Sequence, residues 1–88
     1  MNTNEQQLVF PCNYSLKVIG VTGDSFETTV IPIINKHIPN LTEGAISYNK
    51  SRGNKYTAIT IKFYAISREQ VDALYQELTS TPEVLMAL

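Results

Sequence analysis

The stretch Tyr14–Phe26, YSLKVIGVTGDSF, constrains the fold of this chain more than any other. Tyr14, Leu16 and Val18 alternate with Ser15 and Lys17, the period-two pattern of a half-buried strand. Ile19 breaks the polar half of that pattern, so the second face is not uniformly wetted. Gly20 and Gly23 bracket Val21 and Thr22 and let the backbone turn sharply. Asp24, with Glu27 three residues on, has the spacing of a capping box and predicts a helix with Asp24 as its N-cap.

That helix continues with Phe26, Val30, Ile33, Ile34 and His37 on one face. Pro32 lies off the face. It removes one backbone donor and crowds the carbonyl of Thr28, at a cost of about 3 kcal/mol if unrelieved. The expectation is one kinked or locally loosened helix rather than two, closed by Pro39 and Asn40. Upstream, Met1–Gln7 is polar and reads as a mobile tail, and Leu8, Val9 and Phe10 form a short apolar run that Pro11 interrupts.

The second half repeats the strand-then-helix order. Gly44–Ser51 reads as a weaker strand with Ile46 and Tyr48 as its apolar positions, and Arg52-Gly53-Asn54-Lys55 supplies turn residues. Tyr56–Ala65 is the clearest strand, with Ile59, Ile61 and Phe63 alternating with Ala58, Thr60, Lys62 and Tyr64. Ser67 with Gln70 forms a second capping box, followed by Val71, Leu74, Tyr75 and Leu78 on one helical face. After Thr81-Pro82, Glu83–Leu88 predicts a last strand with Val84, Met86 and Leu88 on one side.

The order βαββαβ is the ferredoxin-like split βαβ arrangement, an α+β fold. Right-handed crossovers put both helices on one face of a four-stranded antiparallel sheet, with the first and third strands central. At 88 residues one domain spanning 1–88 is expected, burying roughly 60–65% of its unfolded surface. Apolar content of 43% against 17% charged is that of a globular chain. The net charge of −1 gives no global field favouring nucleic acid or anionic membrane. No apolar run is long enough to span a bilayer and no secretory signal pattern opens the chain, so a cytoplasmic location is expected. The single cysteine, Cys12, offers no internal disulfide, and no cysteine–histidine spacing for a metal or other cofactor exists.

Phe10-Pro11, Lys17-Val18-Ile19-Gly20, the Ser51-Arg52-Gly53-Asn54 turn with Tyr56, Glu69-Gln70 with Leu74-Tyr75-Gln76-Glu77-Leu78, and the Val84 to Leu88 end resemble the YbeD-like family. These are small bacterial proteins of unknown function with a ferredoxin-like fold, and the resemblance runs in order from about Leu8 to Leu88. Lys55 and Pro32 depart from the family pattern. The family's fold is similar to that of ACT regulatory domains, which bind amino acids or similar effectors between the first strand and the first helix, often at a subunit interface. The resemblance implies Gly20, Thr22, Gly23 and Asp24 as the corresponding ligand-binding residues. In the residues themselves, the loop could offer backbone donors to a carboxylate at a helix N-terminus, but a capping Asp24 competes for those donors.

Other constellations read as structural. His37 suits the C-terminal end of its helix, with no nucleophile or acid spaced nearby in sequence. Cys12 has no adjacent cation to depress its pKa. Lys50, Arg52 and Lys55 gather at the hairpin tip as a solvated turn or a contact for an acidic surface. Glu69 and Asp72 complement the dipole of the second helix. The outward positions Ala58, Thr60 and Lys62 lack the stacking rings of an RNA-binding ferredoxin-like sheet, so no nucleic acid is expected. A copper chaperone's paired cysteines and an acylphosphatase's arginine are missing from the Gly20 loop.

The sequence therefore predicts a non-enzymatic regulatory or adaptor module that binds a protein partner, without membrane association. The alternative is an ACT-like sensor of an amino acid or small organic acid at the Gly20–Asp24 loop. The edge strands near Glu43–Ser51 and Glu83–Leu88 could pair in a homodimer.

Overall fold

A computed structural model describes residues 9–42 and 44–88. The expected mobile tail Met1–Gln7 lies outside the described residues. The elements run β1 (Cys12–Val21), α1 (Asp24–His37), β2 (Ile46–Lys50), β3 (Tyr56–Ala65), α2 (Arg68–Thr79) and β4 (Val84–Ala87). A short 3-10 turn at Arg52–Asn54 joins β2 to β3. The four strands form one antiparallel sheet in the order β2-β3-β1-β4. This is the expected ferredoxin-like βαββαβ, with β1 and β3 central.

The parity of β1 and β3 divides the molecule. Leu16 and Val18 on β1 and Ile59, Ile61 and Phe63 on β3 point inward and are buried. They meet Phe26, Val30 and Ile34 of α1 and Val71, Leu74 and Leu78 of α2 in a single cluster. Tyr14 sits at its margin, its ring tilted against that of Phe63 at 5.9 Å. The intervening side chains point to the other face of the sheet, which neither helix covers.

Both helix starts follow from local chemistry, but differently. At α2, the Ser67 hydroxyl accepts the backbone N–H of Gln70, and the Gln70 side-chain Oε1 accepts the backbone N–H of Ile66. At α1 the N-cap is Gly23, not Asp24, and no side chain caps it. Gly23 adopts φ 156°, ψ 164°, a region that essentially only glycine occupies, so the chain enters the helix one residue early. Asp24 becomes the first helical residue, where its charge still favours the dipole but where it no longer caps. The helix runs unbroken through Pro32 as one element. The Thr28 hydroxyl, one turn before the proline, donates to the carbonyl of Asp24 at 2.8 Å.

The last strand corrects a second expectation. Val18 pairs with Ala87 and Ile19 with Met86, but Gly20 pairs with Val84, so Leu85 is the extra residue of a β-bulge. The bulge turns both Val84 and Ala87 inward, whereas Met86 and Leu88 face outward and are 51% and 64% exposed. Unbroken alternation would have placed Val84, Met86 and Leu88 on one side. Leu88 extends the ladder, exchanging backbone hydrogen bonds with Lys17 at 2.8 and 3.0 Å.

Gly20, opposite the bulge, is itself buried. A Cβ there would overlap the Phe26 ring and lie 2.6 Å from the carbonyl oxygen of Glu83. Gly20→Ala is therefore expected to destabilise the fold by about 1–3 kcal/mol, as overpacking does. A urea titration would read this as a lower midpoint at unchanged slope; an unaltered midpoint would contradict the close approach.

Candidate functional site

The Gly20–Asp24 loop is tied down rather than open. The Thr22 N–H donates to the carbonyl of Lys55 at 3.0 Å, and the Thr22 hydroxyl lies 2.8 Å from that of Thr57. Thr57 is 1% exposed, so this hydroxyl pair satisfies the one buried polar side chain of the described core. Gly20 packs under Phe26. Gly23 and Asp24 are exposed. Of the four residues singled out in sequence, two thus serve packing and anchoring and two stand on the surface at the start of α1.

Two grooves lie elsewhere. The larger, about 720 Å³, opens where the segment after α1 passes the far ends of β1 and β3. Tyr14, Phe63, Ile38 and Leu41 give it an apolar floor, and Asn13 and Gln70 are among its polar groups. The Gln70 amide is already engaged: it donates to the carbonyl of His37 at 3.0 Å while accepting from Ile66. The smaller, about 340 Å³, lies on the uncovered sheet face between Lys17, Ile19, Asn49, Tyr56 and Ala58. Neither was visible in the sequence, because each is assembled from segments that only the strand register brings together.

His37 acquires a partner that sequence spacing did not reveal. Its Nε2 lies 2.7 Å from Glu77 Oε1, and Lys36 Nζ lies 2.9 Å from Glu77 Oε2. The hydrogen bond with His37, followed by that from Lys36, holds the Glu77 carboxyl below its usual value of 4.5. With the Gln70 bond to the His37 carbonyl, this fastens the end of α1 to α2. Among the described residues no group of three or more histidine, cysteine or acidic side chains is placed to hold a metal. Cys12 is half-buried and pairs across the ladder with Ala65. Among the described residues no helix is long and apolar enough to cross a membrane.

This order of strands and helices, with its one-sided core, defines a domain of the ferredoxin-like fold class. The ACT domain from the GTP pyrophosphokinase of Chlorobium tepidum superposes with a TM-score of 0.70 over 88% of this chain and 95% of that one, at 10% identity. Protein HP0495 from H. pylori superposes with a TM-score of 0.73 over 92% and 85%, at 16% identity. At these identities the likeness is one of fold. The chain belongs to the family described as "Protein of unknown function (DUF493)", whose model matches residues 5–88. It is 37% identical to the UPF0250 protein of Chromobacterium violaceum over the whole of both chains. It is 34% identical to that of Janthinobacterium sp. over 100% of this chain and 97% of the relative. The YbeD-like resemblance in the sequence points to this same family.

The Glu77 bridge carries a pH dependence of definite sign. A carboxyl whose folded pKa is lowered contributes stability above the usual value of 4.5 and loses it as pH falls through the lower folded value. In Glu77→Gln the urea midpoint should fall below wild type near neutrality, the gap closing toward strongly acid pH. A gap that stays constant down to acid pH would show that the carboxylate's charge is not what the bridge uses.

Proposed function

We propose that this chain is a non-catalytic regulatory or adaptor module that works in the cytoplasm by binding a protein partner. The observation that carries the reading is the one-sided sheet. Both helices pack on one face, while the other presents Tyr64, Met86 and Leu88 with more than half of their surface exposed. Apolar side chains held open on one sheet face among polar neighbours give a surface on which a partner can seat. The engagement of His37 by Glu77, with no nucleophile beside it in the described hydrogen bonds, supports a non-catalytic role. Immobilised protein should retain a partner from native lysate reproducibly and saturably. Failure to enrich any protein above background across concentrations would count against the reading.

The likeness to an ACT domain favours a second reading, in which an amino acid or small organic acid binds at Gly20, Thr22, Gly23 and Asp24. Edge strands β2 or β4 would then be the natural seams of a homodimer. A thermal-shift screen against amino acids and organic acids should raise the melting temperature in proportion to the logarithm of excess ligand. No saturable shift with any of them would remove this alternative.

A further inference from the structure

The net charge of −1 conceals a strong separation of charge between the two faces of the molecule. Five of the seven lysines and arginines, Lys17, Lys50, Arg52, Lys55 and Lys62, lie on the uncovered sheet face or the hairpin end that borders it. Lys17 and Lys62 project outward from the two central strands, flanked by Ser15, Thr60 and Ala58. Lys17 lines the 340 Å³ groove, whereas Lys50 pairs with the buried Thr57 and so stands in the inward row of the sheet, at the hairpin end. Lys55 lies 5.9 Å from the centre of the Tyr56 ring at the rim of that groove. The acidic side chains of the described residues are elsewhere. Asp24, Glu27, Glu69, Asp72 and Glu77 are on the helices, and Glu83 precedes β4.

The ion pairs found among the described residues belong to the helical side, where Glu77 takes both Lys36 and His37. None involves a cation of the sheet face. Lys17 stands opposite Thr60 and Lys62 opposite Ser15, so the two lysines are diagonal neighbours on the open face that carries the groove. Like charges this close raise the local potential and favour an acidic visitor. The same groove supplies apolar surface from Ile19, Tyr56 and Ala58, continued across β1 by Met86, which pairs with Ile19.

We propose that the open sheet face is the docking site for an acidic segment of a partner protein, with carboxylates meeting Lys17 and Lys62 and apolar side chains seated on Ile19 and Tyr56. This rests on the partner-binding reading and specifies its surface and its chemistry. A protein segment fits better than nucleic acid. The centre of the face offers Ile19, Ala58 and Met86, and its two tyrosines, Tyr56 and Tyr64, stand at opposite ends of β3, too far apart in the strand for neighbouring bases to stack on both.

The probe is a fluorescein-labelled synthetic peptide mixing glutamate with leucine and phenylalanine. It is compared with its glutamate-to-glutamine counterpart and with a single-stranded oligonucleotide of equal charge. Lys17→Glu combined with Lys62→Glu tests the face, and Arg68→Glu on α2 is the matched charge reversal on the other side. Circular dichroism confirms that the variants fold. The acidic peptide should bind saturably and the glutamine peptide should not. Affinity should fall about ten-fold in the double reversal and stay within about two-fold of wild type in Arg68→Glu. No saturable binding of the acidic peptide, or equal binding by the double reversal, would overturn the proposal. So would tighter binding of the oligonucleotide, or sedimentation showing this face already occupied by a second copy. Repeating the lysate capture with the double reversal separates the two levels. A partner retained equally by wild type and variant refutes the docking face but leaves the partner-binding reading intact, whereas no partner retained by either refutes both.

Discussion

The ten-pair antiparallel ladder between β1 and β3 is the constraint on which the rest of the molecule depends. Once Leu16 stands opposite Ile61 and Val18 opposite Ile59, the side-chain parity of the two central strands is fixed. Every inward position then joins the core against α1 and α2, and every outward position joins the uncovered face. A slip of one residue would put Lys17 and Lys62 into the core, at a cost of several kcal/mol per unpaired charge. The ladder thus secures the fold and sorts the chain's charges onto a basic sheet side and an acidic helical side.

Much of this was legible in the sequence because it depends on local periodicity. The alternation in Tyr56–Ala65 placed Ile59, Ile61 and Phe63 in the core, and the Ser67–Gln70 spacing marked the start of α2. The resemblance to the YbeD-like family led to the same fold. What escaped is non-local or depends on backbone conformation. The bulge at Leu85 is set by how β4 meets Gly20 and Glu83, and nothing in the alternation of Val84, Met86 and Leu88 announces it. Gly23 displaces Asp24 from the N-cap through a conformation that spacing alone does not encode. Glu77 is 40 residues from His37, and only the packing of the helices makes them partners.

The candidate site shows the same division. The Gly20–Asp24 loop drew attention because glycines and a helix start are visible in a linear reading. In three dimensions Gly20 is a packing glycine and Thr22 an anchor to Thr57 and Lys55, so half of that set serves the fold. Lys17 and Lys62 are far apart in sequence, and an overall charge near zero gives no hint of them as a pair. They become one surface only through the register of β1 and β3. Charge that looks balanced along a chain can be sharply divided by the sheet it folds into.

The most direct test of this two-sided design is differential lysine labelling read by mass spectrometry, on the free protein and on its complex with a partner retained from native lysate. Lys17 and Lys62 should lose reactivity in the complex while Lys36, on the helical side, keeps its own. Protection of Lys36 with the sheet lysines still reactive would contradict the account and move the working surface to the helices.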